Sequence, residues 1–291
     1  MTSSRPLFRL LALLLALLLL PACSAVRVAY NQADNLLAWM AHDYFDLEPL
    51  QKQEFNTRID ALLAWHRAEQ LPDYARFLGE IKKRTERTAT RDDALWLLDG
   101  AKARYRVLAA KGTPDAVDIL ASLTPENIKA LQKQFDKVNK KFSDEYKLTA
   151  TQEERRRARL ERTLKRIREW TGPLTPAQEA RITALNDTIP YTDHLRQQDR
   201  QRRQKEFLAL LEHRANKAEF ARLLRPWLAD WEAGRPAAMQ AALDEGYEKR
   251  ILLYLEVEHS LSPQQRAHVQ RKLQGYIEDI HALTVKRVAV N

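Results

Sequence analysis

Cysteine is almost missing from this chain: Cys23 is the only one among 291 residues. No disulfide can form within one molecule, so stability must come from packing rather than cross-links. Glycine is scarce as well, at seven residues, and none forms a phosphate-cradling loop, which argues against the usual nucleotide enzymes. Sustained apolar–polar alternation, the mark of half-buried strands, is absent. The histidines (His42, His66, His194, His213, His259, His268 and His281) are scattered, without the i, i+4 spacing of a zinc protease. No serine falls in a nucleophile elbow. No catalytic residue, metal or cofactor is therefore expected.

What is present begins at the N-terminus. Arg5 and Arg9 precede an unbroken apolar run from Leu10 to Leu20, followed by Pro21-Ala22-Cys23. A positive start, a short apolar run and a small residue before the cysteine make a secretory signal. The run is too short to span a bilayer, which takes about 20 residues. Residues 1–22 are expected to be a lipoprotein signal peptide and 23–291 a helical periplasmic domain, with the sulfur of Cys23 acylated (palmitate among its lipids) and holding the protein on the membrane. An ordinary cleaved signal, with Cys23 a plain thiol, and an uncleaved anchor remain as alternatives.

Beyond Cys23 the chain is rich in Leu, Ala, Arg, Glu, Lys and Gln, the good helix formers. Apolar residues recur at steps of three and four, as in Ile128, Leu131, Phe135, Val138, Phe142 and Tyr146, or Val269, Leu273, Tyr276, Ile280 and Leu283; such stripes are core faces. Thr124-Pro125, Thr175-Pro176 and Ser262-Pro263 each put a hydroxyl at a helix cap and proline at the first helical position, with Asn127, Gln178 and Gln265 three residues after the cap. A related start, Leu47-Glu48-Pro49-Leu50-Gln51, lacks the hydroxyl. Helices are predicted near 26–45, 48–69, 72–89, 92–111, 114–121, 125–147, 151–171, 176–188, 190–214, 217–233, 236–258 and 263–288. Gly112 is read as a stop and Thr113-Pro114 as a new start. The fold class is all-α: a compact array of about ten to twelve mostly antiparallel helices, with a possible subdomain seam near 171–175.

Three groups of side chains invite a functional reading. His66 and Glu69 share a helical face at i, i+3; with Asp43 they would make the cleft of an envelope hydrolase acting on peptidoglycan or lipid, against the plainer reading of structural or surface histidine. Trp39, Tyr44 and Phe45 crowd the end of the first helix, where core burial is expected over contact with lipid. The third group is charge. Residues 151–170 carry Arg155, Arg156, Arg157, Arg159, Arg162, Lys165, Arg166 and Arg168 against four acids, and residues 191–205 carry Arg196, Arg200, Arg202, Arg203 and Lys205 against two. These two stretches account for the whole net charge of +7 after Cys23. Such helices attract anionic head groups or acidic polypeptides, or stand as solvated faces with internal salt bridges. The export signal argues against nucleic acid as a partner.

The sequence resembles a family of uncharacterised proteobacterial lipoproteins through Cys23-Ser24, Arg27, Tyr30-Asn31, Ala33-Asp34, Leu37 and Trp39. Asp43-Tyr44, Asp46-Leu47, Leu63-Ala64-Trp65-His66-Arg67, Leu71-Pro72 and Tyr74 continue the likeness, and Leu261-Ser262-Pro263, Gln265, Leu273, Gly275-Tyr276-Ile277 and Asp279 carry it at the other end. The resemblance implies a helical fold and outer-membrane attachment on the periplasmic face, and assigns no catalytic residue. Leu174-Thr175 with Gln178, and Leu261-Ser262 with Gln265, give a weaker likeness to small periplasmic stress chaperones with Leu-Thr-x-x-Gln helix starts. The function expected is a lipid-anchored, non-enzymatic, chaperone-like binder of an envelope protein, a client chain or an anionic lipid.

Overall fold

The structure is a computed structural model describing residues 25–285; the expected signal peptide, Cys23 and the last six residues lie outside the described residues. Twelve α-helices and one π-helical turn make up this region, and among the described residues there is no strand. The order is α1 (Ala25–Asn31), α2 (Ala33–Phe45), α3 (Pro49–Trp65), the π turn (His66–Gln70), α4 (Leu71–Arg84), α5 (Arg91–Ala121), α6 (Pro125–Glu145), α7 (Gln152–Thr171), α8 (Pro176–Asp187), α9 (Asp193–Glu212), α10 (Lys217–Ala229), α11 (Ala237–His259) and α12 (Pro263–Val285). The all-α expectation holds.

The expected caps form, and they form in pairs. Thr124 and Thr175 accept from the backbone N–H three residues on, while Asn127 and Gln178 accept in return from the cap N–H. Gln51 accepts from the Glu48 N–H and Gln265 from the Ser262 N–H in the same way. Each of these amides then reaches across to a second helix end. Gln51 Nε2 donates to the Ser122 carbonyl, and Asn127 Nδ2 to the carbonyls of Phe45 and Asp46. Gln178 Nε2 donates to the Ser260 carbonyl and Gln265 Nε2 to that of Pro173. One side chain thereby satisfies an orphan N–H at the start of its own helix and an orphan carbonyl at the end of another. The recurring Leu-x-Pro motif is thus used twice over, as two interlocked elbows.

Three small clusters carry the core. The largest joins Leu131 of α6, Leu211 of α9, and Phe220 and Leu224 of α10 with Val117 and Leu120 of α5. A second brings Ile167 of α7 and Ile182 of α8 against Leu253 and Val257 of α11. A third packs Leu71 and Ala75 of α4 on Ile280 and Leu283 of α12, with Tyr30 and Tyr74 alongside. The longest side-by-side packings are α12 along α4 and α10 along α5.

Three expectations need correction. The break at Gly112-Thr113-Pro114 does not occur, because α5 runs unbroken for 31 residues. Thr113 is buried and its hydroxyl donates back to the Ala109 carbonyl at 2.6 Å, an arrangement that accommodates helical backbone next to proline; packing of Val117 and Leu120 in the core holds the helix together. Nor do the helices expected at 48–69 and 72–89 separate. They join through the π turn, where the Leu71 N–H reaches the His66 carbonyl five residues back. Finally, Trp39 is not in the core: it is 62 % exposed on α2 beside Leu36 and Met40. Ala41, Tyr44 and Phe45 already fill the inner face of that helix.

Candidate anion-binding site

The basic stretch 151–170 folds as α7, capped by Thr151 with Glu154. Its charges divide between structural duties and a cavity. Arg159 is buried, with 8 % exposure, and donates to the carbonyls of Ile189 at 2.7 Å and Asn186 at 2.8 Å. These carbonyls belong to the C-terminal end of α8, where helix partial charge is negative and a cation is stabilised. The guanidinium also lies 4.2 Å from the centre of the Tyr191 ring. Burial lowers its pKa from the ordinary guanidinium value, leaving it a cation.

Beside Arg159 opens a half-enclosed cavity of about 180 Å³. The end of α6 brings Glu145 and Tyr146, α7 adds Arg162, Thr163 and Arg166, and α9 adds Asp193 and Arg196. Arg250, Leu253 and Tyr254 come from α11. Five arginines thus face two carboxylates. Arg196 reaches Asp193 at 3.5 Å and Arg162 the Glu145 carbonyl at 3.4 Å, while both guanidiniums lie over the Tyr146 ring. Among the described residues, Arg166 and Arg250 form no ion pair. Burial, and then Arg196, lower the pKa of Arg250 from its usual value: a like charge and a poor solvent both oppose its cation. Two buried donors here also lack an acceptor, Arg159 Nε and Asn186 Nδ2, and Asn186 is fully buried.

Such a set can bind an anion. Guanidinium groups present flat pairs of N–H donors that match phosphate and carboxylate oxygens. A bound anion would separate the arginines electrically and supply missing acceptors.

The other charges expected to form the surface site have other partners. Arg155 donates to the Leu148 carbonyl and lies over Tyr191, and Arg156 pairs with Glu153 and Asp187. Arg202 is held by Asp199, Glu206 and the Ala233 carbonyl, and Arg203 stacks 3.6 Å from the centre of the Trp227 ring while donating to the Trp227 carbonyl. Arg159, Arg202 and Arg203 are therefore corrected from surface contacts to structural ones: apolar and aromatic neighbours cover their stems and carbonyls or carboxylates take their charge. Arg157, Lys165 and Arg200 remain exposed, Arg200 lying over Phe142. Arg250 was the residue missed, although the pattern carried a sign of it. Leu243, Gly246, Leu253 and Val257 are buried at steps of three and four with Arg250 in their midst, and a lone cation on an apolar stripe needs a reason.

The cleft of Asp43, His66 and Glu69 does not assemble. Asp43 accepts from Gln134 Nε2 at 2.5 Å and pairs with Lys137 of α6 at 3.3 Å. His66 turns towards α1 and α4, its Nδ1 hydrogen-bonded to the Tyr30 hydroxyl at 2.9 Å and its ring against Tyr74. Glu69 is exposed. The wider winding of the π turn, with i to i+5 bonding, removes the shared face that α-helical spacing would give His66 and Glu69. Among the described residues no group of three or more His, Cys, Asp or Glu side chains is placed to hold a metal ion, and no helix is long and apolar enough to cross a membrane.

Comparison with curated proteins and with solved structures gives no match. A family of unknown function (DUF6279) matches residues 43–237. The matched region takes in α3 to α10, and with them every cavity arginine except Arg250. The match spans well over half of the sequence, and the chain belongs to this family of unknown function.

Proposed function

We propose that this is a non-enzymatic binding protein of the bacterial envelope that holds an anionic group of its partner in the arginine cavity. The observation that carries the reading is the meeting of Arg162, Arg166, Arg196 and Arg250, with two carboxylates between them, at a cavity bordered by unsatisfied buried donors. The envelope location and the lipid on Cys23, at the periplasmic face of the outer membrane, are part of the proposal. They rest on the arginine–apolar–cysteine order of residues 5–23 and gain support from the exposed apolar side chains Val28, Leu36, Trp39 and Met40 on the helices that follow. Because Arg155, Arg156, Arg202 and Arg203 are engaged within the fold, a discrete anionic group suits the site better than broad electrostatic capture of unfolded client chains.

The test is thermal unfolding of the purified chain against inorganic phosphate at constant ionic strength. A ligand that binds only the folded state raises Tm with its concentration. The expected result is a saturating rise that Arg250→Met removes. A Tm that follows ionic strength alone, or the same rise in the variant, would show that the cavity does not bind phosphate.

A further inference from the structure

A second cavity lies on the neighbouring face of α11. It has a volume of about 400 Å³, within the range of small-molecule sites, roughly 300–1,000 Å³. Leu97 and Leu98 of α5, Ile81 of α4, and Ile251 and Leu255 of α11 line it. Leu97 and Leu98 are each 39 % exposed, so a strip of hydrocarbon faces water without cover. The polar residues at its edge are already engaged, apart from the buried Nε of Arg84, which lacks an acceptor: Arg84 pairs with Asp93 at 2.6 Å and lies over Trp96, and Glu258 pairs with Arg266. The groove thus offers apolar surface and almost no unused polar group.

The arginine cavity and this groove meet at one residue. Tyr254 lines both and is itself 41 % exposed. Along α11 the cavity takes Arg250, Leu253 and Tyr254, while the groove takes Ile251, Tyr254, Leu255 and Glu258. These are neighbouring faces of one helix, about 100° apart. Cations therefore stand on one side of a tyrosine and unpartnered hydrocarbon on the other. An anion alone would leave the groove empty, and an uncharged apolar molecule would leave Arg166 and Arg250 without an ion-pair partner.

We propose that α11 carries a binding site for one lipid molecule with a phosphate head and an acyl chain: the head among Arg162, Arg166, Arg196 and Arg250, the chain across Tyr254 and along Leu97, Leu98 and Leu255. The inference rests on the anion-binding reading of the cavity and adds the class of molecule that bears the anion. Each methylene buried in the groove favours binding, so affinity should grow with chain length, which phosphate recognition alone does not require.

The experiment is calorimetric titration of the purified chain with ethyl phosphate, dodecyl phosphate and the uncharged dodecyl maltoside, each below its aggregation concentration. Dodecyl phosphate should bind at least about tenfold more tightly than ethyl phosphate, and the maltoside at least about tenfold more weakly than dodecyl phosphate. Leu98→Glu should remove the advantage of the long chain and leave ethyl phosphate binding intact; Leu97→Glu, at the other exposed leucine, serves if the first variant folds poorly. Arg250→Met should weaken both phosphates. Equal affinity for ethyl and dodecyl phosphate overturns the lipid site while the anion cavity stands. Maltoside binding as tight as dodecyl phosphate also overturns it, because the head would then not be read. Failure of every phosphate to bind overturns both readings.

Discussion

Gln178 and Gln265, 87 residues apart, exchange amide hydrogen bonds: Gln178 Nε2 donates to Gln265 Oε1 at 2.9 Å, and Gln265 Nε2 returns the bond to Gln178 Oε1 at 3.1 Å. Each also satisfies the first turn of its own helix and a carbonyl of another. Truncating either one strands a buried amide, at a cost of about 1–3 kcal/mol. Gln178→Ala and Gln265→Ala should each lower the urea midpoint, and the double variant should lose less than the sum, since both remove the same exchange. Additive losses would mean that the two amides act independently.

This pairing shows what the sequence carried and what it did not. The caps at Thr124, Thr175 and Ser262 are local devices, legible from a hydroxyl, a proline and an amide at fixed offsets. Which cap meets which is a tertiary matter, and no spacing announces it. The same division explains α5. Gly112 and Pro114 are strong local stop signals, but burial of Thr113 between them and of Val117 and Leu120 just after them overrides the signal. The candidate site was half legible: charge density marked α7 and α9, but only the fold shows that Arg159 at the cavity's edge is buried and spent on clamping the end of α8, whereas Arg162 and Arg166 turn to the cavity.

His66 gives the molecule a pH response of known sign. Burial lowers its pKa from the ordinary value, since an imidazolium packed against Tyr30 and Tyr74 is poorly solvated. Between that lowered value and the unfolded value of about 6.5 the unfolded chain binds more protons. Its contribution to stability is therefore full above about pH 6.5 and falls as pH drops through the window below it. His66→Gln should flatten this part of the stability profile, and an NMR titration should find the ring titrating below the ordinary imidazole value. A ring that titrates at or above that value would reverse the sign.

Two helical glycines make an internally controlled pair. A Cβ built on Gly100 would stand 2.5 Å from two carbons of the Phe77 ring, whereas one on Gly79 meets nothing within 4 Å. Helix propensity favours alanine at both by about 1 kcal/mol. At Gly100 the clash opposes that gain with about 1–3 kcal/mol, because Phe77 is pinned between Trp96 and Arg104. Gly79→Ala should raise Tm and Gly100→Ala lower it; a rise in both would mean that the Phe77 ring can move aside.

The exposed face of Trp39, Leu36 and Met40 follows the expected lipidation site closely in sequence. Tryptophan favours the interface between hydrocarbon and water, so in vesicles carrying the lipidated protein Trp39 should lie within reach of brominated acyl chains. Bromine quenching of the tryptophan emission should fall sharply in Trp39→Ser, with stability changed by no more than about 0.5 kcal/mol. Equal quenching in variant and parent would remove the membrane from this face.

Arg250 sets binding against stability. Its guanidinium is partly buried, has no carboxylate partner among the described residues, and shares its cavity with Arg196 and Arg159. In the anion-free protein, burying a cation that forms no ion pair, beside the like charge of Arg196, costs stability, and apolar replacements of similar volume are often neutral or favourable at such positions. Arg250→Met should therefore raise Tm in phosphate-free buffer while cancelling the stabilisation that phosphate confers. A purely structural arginine would show the reverse, losing stability on substitution whatever the buffer. If Arg250→Met lowers Tm equally with and without phosphate, the residue serves the fold and the cavity is not built for an anion. If the two unfolding curves cross as phosphate is added, the parent melting lower without the anion and higher with it, the cost of holding Arg250 unpaired is offset only by the ligand.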